Sequence, residues 1–391
     1  MKRIHIIIFV ILFTFPYLGS AQSLNQILNT IESNNLTLKA FHQLGESEKV
    51  SNKVGIAPSN PSVDFTYAWG SPSMGNKIAL SASQNFHFPS VYIRKSQIAN
   101  LRNDQVDLNY QIKRNEILAE AAQVCNEIIF YNALLQDLEK CAKNITGLSE
   151  IYKKRLDAGS CNIFEYNKVK INALNIEQEI ILKKVERDAL LRNLATLNGG
   201  NSLEISQNDI IIDNFEKDFE VWYQNAEQKN PLLQIQNKEI EVSKRQVQLA
   251  QGMYAPQFKI GYALEHLPSE QFSGITAGIS IPLWENLNSV KYSQAQEIAT
   301  QAIAYDSKAQ FYNEMKTIHT RLIALLQISQ EYRESIAQIE NLDYIARALE
   351  SGEISIEEFF LEYSAFHDSH VTLLNILLEA AQCRAKLHLY E

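Results

Sequence analysis

Glycine and proline are scarce in this chain and are confined to a few places. The 391 residues include 14 glycines and 9 prolines, about half the share that is usual in soluble proteins. No proline lies between Pro89 and Pro231, and Gly352 is the only glycine after Pro282. Stretches of this kind argue against a β-sandwich, a Rossmann-type enzyme or a disordered chain, and they predict long helices.

Cysteine and positive charge are also in short supply. The four cysteines, at positions 125, 141, 161 and 383, fit neither a zinc motif nor a dense disulfide framework, so we expect them to be small buried apolar residues. The formal net charge is −9 at pH 7. Nucleic-acid binding needs a basic surface, so no nucleic-acid partner is expected.

A long hydrophobic run occurs only at the N-terminus. Residues 1–21 resemble a signal peptide, because Lys2 and Arg3 precede an apolar run and Gly19, Ser20 and Ala21 precede a cleavage point. The residue directly after this point is Gln22 and not a cysteine, so a lipid anchor is not expected. No later run reaches the roughly 18 to 20 apolar residues of a membrane-spanning helix. A membrane location would therefore require β-strands or an interfacial surface.

The sequence contains two copies of one unit. The matching positions are Asn35 with Asn230, Pro61 with Pro256, Tyr67 with Tyr262, and Leu156–Gly159 with Leu349–Gly352. The first copy is expected over 22–205 and the second over 216–391, with a polar linker at 206–215. The chain is thus predicted to be one duplicated unit.

Each copy contains two short segments in which apolar and polar residues alternate. We predict strands at about 62–69 and 77–88 in the first copy, and at about 257–265 and 272–282 in the second. In the first strand one face carries Val63, Phe65, Tyr67 and Trp69. Period-two alternation with aromatic residues is typical of strands in a membrane β-barrel. A soluble hairpin packed on helices is the alternative.

The strands of each copy lead into a long helical hairpin, expected at about 90–198 and 287–390. From Ile117 to Leu156 the apolar positions recur in alternating steps of four and three, which predicts a coiled coil. The apolar residues of the returning helix are Val169, Leu174, Ile180, Val185, Ala189 and Leu194. Such hairpins cannot bury both flanks within one chain, so we predict an oligomer.

This combination resembles the TolC family of outer-membrane efflux proteins. The resemblance covers the whole mature chain and includes Tyr254-Ala255-Pro256 before a strand and the two hairpin tips, 155–159 and 349–352. The segment from Ile279 to Trp284, continuing through Asn286 and Asn288, is similar to the CzcC/CusC-like heavy-metal branch.

The resemblance implies a mainly α fold with a small β part. Duplicated coiled-coil hairpins would form an α-barrel, and four strands per chain would contribute to a trimeric 12-stranded transmembrane β-barrel. The implied location is the outer membrane of a Gram-negative bacterium, with a periplasmic helical tunnel. The implied partners are two further copies of the chain, outer-membrane lipid, a periplasmic adaptor and an inner-membrane pump of the RND type.

The family also suggests residues at the lower end of the tunnel. Candidates for an acidic constriction that favours cations are Glu165, Glu357, Glu358 and Glu362; solvated charges on the helix surface are the alternative. Candidates for adaptor docking are Arg155, Leu156, Gly159, Ser160, Leu349, Gly352 and Glu353, although turn chemistry alone would explain the glycines. Where better-studied members have a Tyr and an Arg that lock the closed state, this chain has Leu349 and Ile354.

No catalytic motif is present in the sequence, so neither an enzyme nor a cofactor is expected. His367 and His370 lie three residues apart on a predicted helix, but two ligands alone seldom make a metal site, and none is predicted. The leading hypothesis is the duct of a tripartite efflux system, with divalent or heavy-metal cations as cargo. The alternatives are a duct for type I secretion or drug export, and a periplasmic coiled-coil scaffold without a pore.

Overall fold

Helices make up most of the molecule in the computed structural model, which describes residues 24–73, 75–339 and 342–391. The first copy contains α1 (Leu24–Asn34), α2 (Leu36–Ser51), β1 (Ser62–Ala68), β2 (Lys77–Phe86), α3 (Pro89–Asp157) and α4 (Ile163–Leu197). The second contains α5 (Phe219–Lys229), α6 (Pro231–Gly252), β3 (Gln257–His266), β4 (Gln271–Ser280), α7 (Ser289–Ile339), α8 (Leu342–Ser351) and α9 (Ile356–His388). The predicted signal peptide at 1–21 lies outside the described residues.

A buried asparagine divides the first helical segment of each copy. The Asn35 side chain accepts a hydrogen bond from the backbone N–H of Leu38 and donates one to the Leu197 carbonyl at 2.8 Å. Asn230 caps α6 in the same way by accepting from Leu232 N–H, and Pro231 occupies the first helical position. The matching sequence positions therefore have matching local structures.

The long helices pack side by side in a fixed order. Helix α3 packs along α4, α6 and α9, and α7 packs along α6 and α9. Helix α3 is 69 residues long, which corresponds to about 100 Å at the usual helical rise. Within the described residues, no helix is both long and apolar enough to cross a membrane.

The core follows the predicted heptads along α3. The buried positions that match the prediction are Ile117, Ala121, Val124, Ile128, Leu135, Leu138, Ile145 and Tyr152. On α4 the predicted apolar residues separate into two groups. Val169 and Leu194 are fully buried, whereas Leu174 and Val185 are 56% and 59% exposed. One flank of α4 therefore packs inside the chain, and the other is open to solvent among the residues that the structure describes.

The four strands form one antiparallel sheet in the order β1-β2-β3-β4. Strands β2 and β3 pair from Ile78 with His266 to Phe86 with Phe258, so the middle of the sheet joins the two copies. Strand β2 ends at Phe86, two residues earlier than predicted, because Pro89 already begins α3. Strand β4 ends at Ser280, also two residues early.

Candidate functional site: an apolar sheet face and two helical tips

The register of the sheet places all four apolar stripes on the same face. Phe65 lies opposite Leu80, and Leu80 lies opposite Leu264. On the next strand pair, Tyr262 of β3 lies opposite Ile275 of β4. The apolar residues of this face are Val63, Phe65, Tyr67, Ile78, Leu80, Ala82, Phe86, Phe258, Ile260, Tyr262, Leu264, Ile275, Ala277 and Ile279. Its polar residues are Gln84 and, towards one end, His266, Gln271 and Ser273. Many of the apolar side chains are open to the surroundings: Phe65 is 67% exposed and Ile275 is 83% exposed.

The opposite face of the sheet is polar or lined by small side chains, with Phe272 as the exception. Ser62 and Ser83 share a hydroxyl hydrogen bond of 2.9 Å, and Lys77 Nζ lies 2.8 Å from the Glu265 carboxylate. Gly261 allows close approach here, because a Cβ atom would lie 2.6 Å from the Ala82 carbonyl oxygen. The sheet therefore has one apolar and one polar face.

Neither face of the sheet is covered by a helix in the described part of the chain. Every residue of β1 is exposed, and so is all of β4 except one half-buried residue. A soluble hairpin would bury its apolar face against the helices. The soluble alternative therefore does not match the packing of this chain.

Aromatic side chains lie at both ends of the apolar face. Tyr67 and Trp69 meet edge to face at 5.3 Å near the β1–β2 turn. Phe86 and Phe258 are paired at the opposite end, where the strands meet the helices. Aromatic residues in two rows are typical of the two interfaces of a membrane.

The sheet has two free edges. Strands β1 and β4 each pair on one side only, so each presents a row of backbone N–H and C=O groups without a partner in the sheet. Four strands cannot close into a barrel, and unpaired edges are strongly disfavoured in lipid. In a membrane, a sheet of this kind would need further strands at both edges.

The two hairpin tips at the other end have the same backbone geometry. Gly159 and Gly352 have φ values of 69° and 77°, in the left-handed region that favours glycine. Ser160 N–H donates to the Arg155 carbonyl at 2.8 Å, and Glu353 N–H donates to the Ala348 carbonyl at 2.8 Å. Both turns therefore close the preceding helix as Schellman motifs.

The candidate docking residues at the tips do not form a single exposed surface. Leu349 is 2% exposed and belongs to the core between the hairpins, whereas Gly159, Ser160, Gly352 and Glu353 are exposed. The Arg155 guanidinium lies over the Tyr152 ring at 5.5 Å, and Leu156 is half-buried.

An apolar cluster holds the two tips together. Its buried members are Cys141, Ile145, Leu148, Tyr152, Val169, Ile176, Leu349, Ile356, Phe359, Phe360 and Tyr363, which come from α3, α4, α8 and α9. Burial raises the pKa of the Tyr363 hydroxyl, and its hydrogen bond with Cys141 raises it further. The phenol is therefore neutral and acts as part of the core.

Two of the candidate constriction carboxylates belong to helix caps. The Glu165 carboxylate accepts from Asn162 N–H at 2.9 Å, and the Glu358 carboxylate accepts from Ser355 N–H at 2.8 Å. Both arrangements are capping boxes. Hydrogen bonds from the Ser355 backbone and hydroxyl hold the pKa of Glu358 below its usual value.

The other two candidates have different surroundings. Lys168 Nζ on α4 lies 3.1 Å from the Glu357 carboxylate on α9, and this hydrogen bond lowers the pKa of Glu357. Glu362 is exposed on α9. The four carboxylates thus divide into two helix caps, one ion pair and one exposed group.

The histidines and cysteines have structural surroundings. His370 Nδ1 lies 2.5 Å from the Asp137 carboxylate, and its ring stacks on Phe366. Among the described residues, no group of three or more His, Cys, Asp or Glu side chains could hold a metal ion. All four cysteines are free thiols, and three of them are buried. Burial raises the pKa of Cys125 to about 12, so this thiol is unreactive.

Sequence reasoning missed Lys168 and the two N-caps, Asn162 and Ser355. The caps had a readable signal, because a polar cap residue followed three positions later by Glu predicts a capping box. The partner of Lys168 had no such signal, since Glu357 lies in the other copy of the repeat.

Several solved structures are similar to this chain. CusC, described for its conformational changes in folding and transmembrane channel formation, matches with a TM-score of 0.76 at 12% identity, over 93% of this chain and 91% of CusC. The outer membrane protein VceC from Vibrio cholerae matches with a TM-score of 0.73 at 14% identity, over 94% of both chains.

The open state of the MtrE outer membrane channel from Neisseria gonorrhoeae also matches, with a TM-score of 0.72 at 10% identity, over 94% of this chain and 88% of MtrE. No protein-family model matches the sequence, and no curated protein matches it. The matches span nearly the full length of both partners, although the identity is low. The chain therefore has the fold of these outer-membrane proteins: long helical hairpins joined to a four-stranded sheet.

Proposed function

We propose that the chain is one subunit of an outer-membrane channel that conducts solutes from the periplasm to the exterior. The observation that carries this proposal is the exposed, mainly apolar face, which extends across all four strands and includes only four polar residues, Gln84, His266, Gln271 and Ser273. Lipid would cover this face, and the polar face would line a water-filled pore. In this role the chain is a conduit and not an enzyme.

The free edges of β1 and β4 support a trimer. Three copies of the sheet would supply the twelve strands implied by the resemblance to the TolC family, and pairing β4 of one copy with β1 of the next would leave no open edge. The TM-scores above 0.7 to outer-membrane channels support the same arrangement.

The exposed apolar flank of α4 supports the same assembly in the helical part. Its exposed residues recur at heptad spacing and are Phe164, Ile171, Leu174, Ile181 and Val185. Helix α7 carries exposed Ile298 and Ile303, which are 69% and 56% accessible. A second copy of this chain would cover these residues and extend the helical layer into a closed tunnel in the periplasm.

The tips support the proposed partners. Two matching turns per chain would give six turns in a trimer, and these would meet a periplasmic adaptor and, through it, an inner-membrane pump of the RND type. Arg155, Ser160 and Glu353 are the tip residues that we propose for this docking. Photo-crosslinking from Ser160 to a co-purified adaptor tests the idea, and a photo-crosslinker at mid-helix Gln178 is the control.

Divalent or heavy-metal cations are the proposed cargo. The acidic residues of the second tip, Glu357, Glu358 and Glu362, would favour cations at a narrow opening. Glu358 caps a helix and Glu357 pairs with Lys168, so Glu362 is the residue of this group with neither role among the described residues. Deletion of the gene followed by growth on zinc, copper, cobalt and drugs tests the cargo. If the deletion strain were sensitive to drugs alone, the cargo would be drugs and not metals, and the channel proposal would still stand.

A matched pair of substitutions tests the membrane location. Ile275 and Thr276 are neighbours at the centre of β4 and lie on opposite faces of the sheet. Ile275→Lys should prevent insertion, because a lysine facing lipid at the bilayer centre costs about 2–4 kcal/mol, whereas Thr276→Lys should be tolerated. Outer-membrane fractions are assayed for a heat-sensitive trimer, and a soluble wild-type monomer in the periplasm would contradict the proposal.

A further inference from the structure

The connection between β4 and α7, residues 281–288, displays an exposed apolar cluster. We call this segment the foot loop. Leu283, Trp284 and Leu287 are 64%, 79% and 71% exposed. Three large apolar side chains so close together are unusual on a surface that faces water.

The first copy of the repeat shows that this connection need not be long. There only His87 and Phe88 separate β2 from α3. In the second copy the whole foot loop separates the equivalent strand and helix. Since a short connection suffices in one half of a duplicated unit, the longer one has a role other than joining two elements.

Hydrogen bonds hold the foot loop in a defined shape. Asn286 Nδ2 donates to the Met253 carbonyl at 2.7 Å, and the Tyr254 hydroxyl donates to the Asn286 carbonyl at 2.5 Å. Asn288 has a φ of 66°, which asparagine tolerates better than most residues. The loop is therefore tied to the residues that precede β3, an inner strand, and not to the free edge of β4.

The position of the foot loop indicates what covers it. Ile279 lies on the apolar face of β4, and Ile281, two residues further along the sequence, is 63% exposed. The cluster therefore begins where that face ends. Tryptophan prefers the boundary between headgroups and acyl chains. Glu285 and Asn286, which are interspersed with the apolar residues, suit this boundary better than the hydrocarbon interior.

We infer that the foot loop inserts Leu283, Trp284 and Leu287 into the headgroup boundary of the periplasmic leaflet and fixes the depth at which the sheet sits in the membrane. This inference rests on the proposed function, because it requires the sheet to cross the bilayer. A second copy of the chain is the other conceivable occupant of the cluster. Lipid is favoured because Ile279, just before the foot loop, lies on the apolar face of β4, which the proposed function assigns to lipid.

Tryptophan fluorescence tests the inference directly. The three tryptophans of the chain are Trp69, Trp222 and Trp284, and Trp222 is only 3% exposed within the helical core. The Trp69→Phe protein is compared with the Trp69→Phe/Trp284→Phe protein, and the difference in their emission belongs to Trp284. Trp222 is left unchanged in both, so that the core is not disturbed.

Both proteins are reconstituted in phosphatidylethanolamine–phosphatidylglycerol vesicles that contain phospholipid brominated either near the headgroup or near the chain end. We expect the Trp284 emission to be quenched, and more strongly by the shallow bromine than by the deep one. The emission of Trp222 should be unaffected by either lipid. A reporter on the sheet, Ile260→Trp in the Trp69→Phe/Trp284→Phe background, shows whether the strands themselves contact lipid.

The possible results distinguish a failure of the foot-loop inference from a failure of the proposed membrane location. Quenching of the reporter at position 260 without quenching of Trp284 would overturn the proposed lipid contact of the foot loop and leave the channel proposal intact. A photo-crosslinker at position 284 that links two copies would assign the cluster to the neighbouring subunit and would likewise overturn the inference. Absence of quenching at both positions would overturn the membrane location as well.

Discussion

Lys168 on α4 lies 3.1 Å from the carboxylate of Glu357 on α9, and this ion pair links the tip of the first hairpin to the tip of the second. Both side chains are partly exposed to solvent, so the pair contributes little to global stability. Its position makes it a direct reporter of contact between the tips.

Reversing one charge of this pair should loosen the tips without unfolding the chain. Lys168→Glu would place two carboxylates together, and we expect faster amide hydrogen exchange in residues 352–360. The Lys168→Glu/Glu357→Lys protein should restore slow exchange, because the pair is re-formed with reversed sign. Lys183→Glu, which removes a pair within α4, is the control, and equal acceleration in this control would contradict the prediction.

The start of α9 should depend on pH in the acidic range. The pKa values of Glu357 and Glu358 are both held below the ordinary value of 4.5 in the folded chain. Their contribution to stability is therefore complete above pH 4.5 and is lost as the pH falls through the lowered folded-state values. Hydrogen exchange at residues 355–360 measures this loss. Glu358→Gln keeps a cap acceptor and should reduce the pH dependence; an unchanged profile would contradict the assignment.

Two glycines of the first hairpin should respond to alanine in opposite directions. Gly159 has a φ of 69°, so Gly159→Ala should cost about 1–2 kcal/mol of unfolding free energy. Gly147 lies within α3, and a Cβ there would meet nothing within 4 Å. Gly147→Ala should therefore stabilise the helix by about 0.5–1 kcal/mol. Thermal unfolding measures both changes, and a shift of the same sign in both would refute the prediction.

Two leucines of α4 should separate folding from assembly. Leu194 is fully buried, and Leu194→Ala should cost about 2–5 kcal/mol because it leaves a cavity in the core. Leu174 is 56% exposed, so Leu174→Ala should leave the fold of the single chain intact and weaken the proposed trimer. Circular dichroism and the fraction of trimer in detergent distinguish the two effects. A Leu174→Ala protein with an undiminished trimer would place the subunit contact elsewhere.

Much of the fold could be predicted from the sequence because its elements are long and periodic. The heptads of α3 and the alternation in the strands indicated the correct faces, and the predicted strand ends lie within two residues of those observed. Proline and glycine marked the element boundaries, since Pro89 and Pro231 begin helices and Gly159 and Gly352 lie just after helix ends.

The candidate site was predicted less completely. The heptad pattern of α4 could not distinguish the flank of Val169, which is buried inside the chain, from the flank of Leu174, because both are apolar and differ only in what lies opposite. The pattern of carboxylates placed Glu165 and Glu358 near the tips but did not show that they cap helices. Pairs between the two copies, such as Lys168 with Glu357, depend on packing that no local pattern encodes.

The pairing of β2 with β3 also constrains when the molecule can be completed. These neighbouring strands are separated in sequence by the whole of the first helical hairpin, so closing this contact carries the entropic cost of a very long loop. As the chain is synthesised from its N-terminus, the edge of β2 that faces β3 has unpaired backbone N–H and C=O groups until β3 has been made. Synthesis therefore creates an interval in which the open strand edge over 78–86 can pair with other chains, which makes this edge a site of aggregation until β3 covers it.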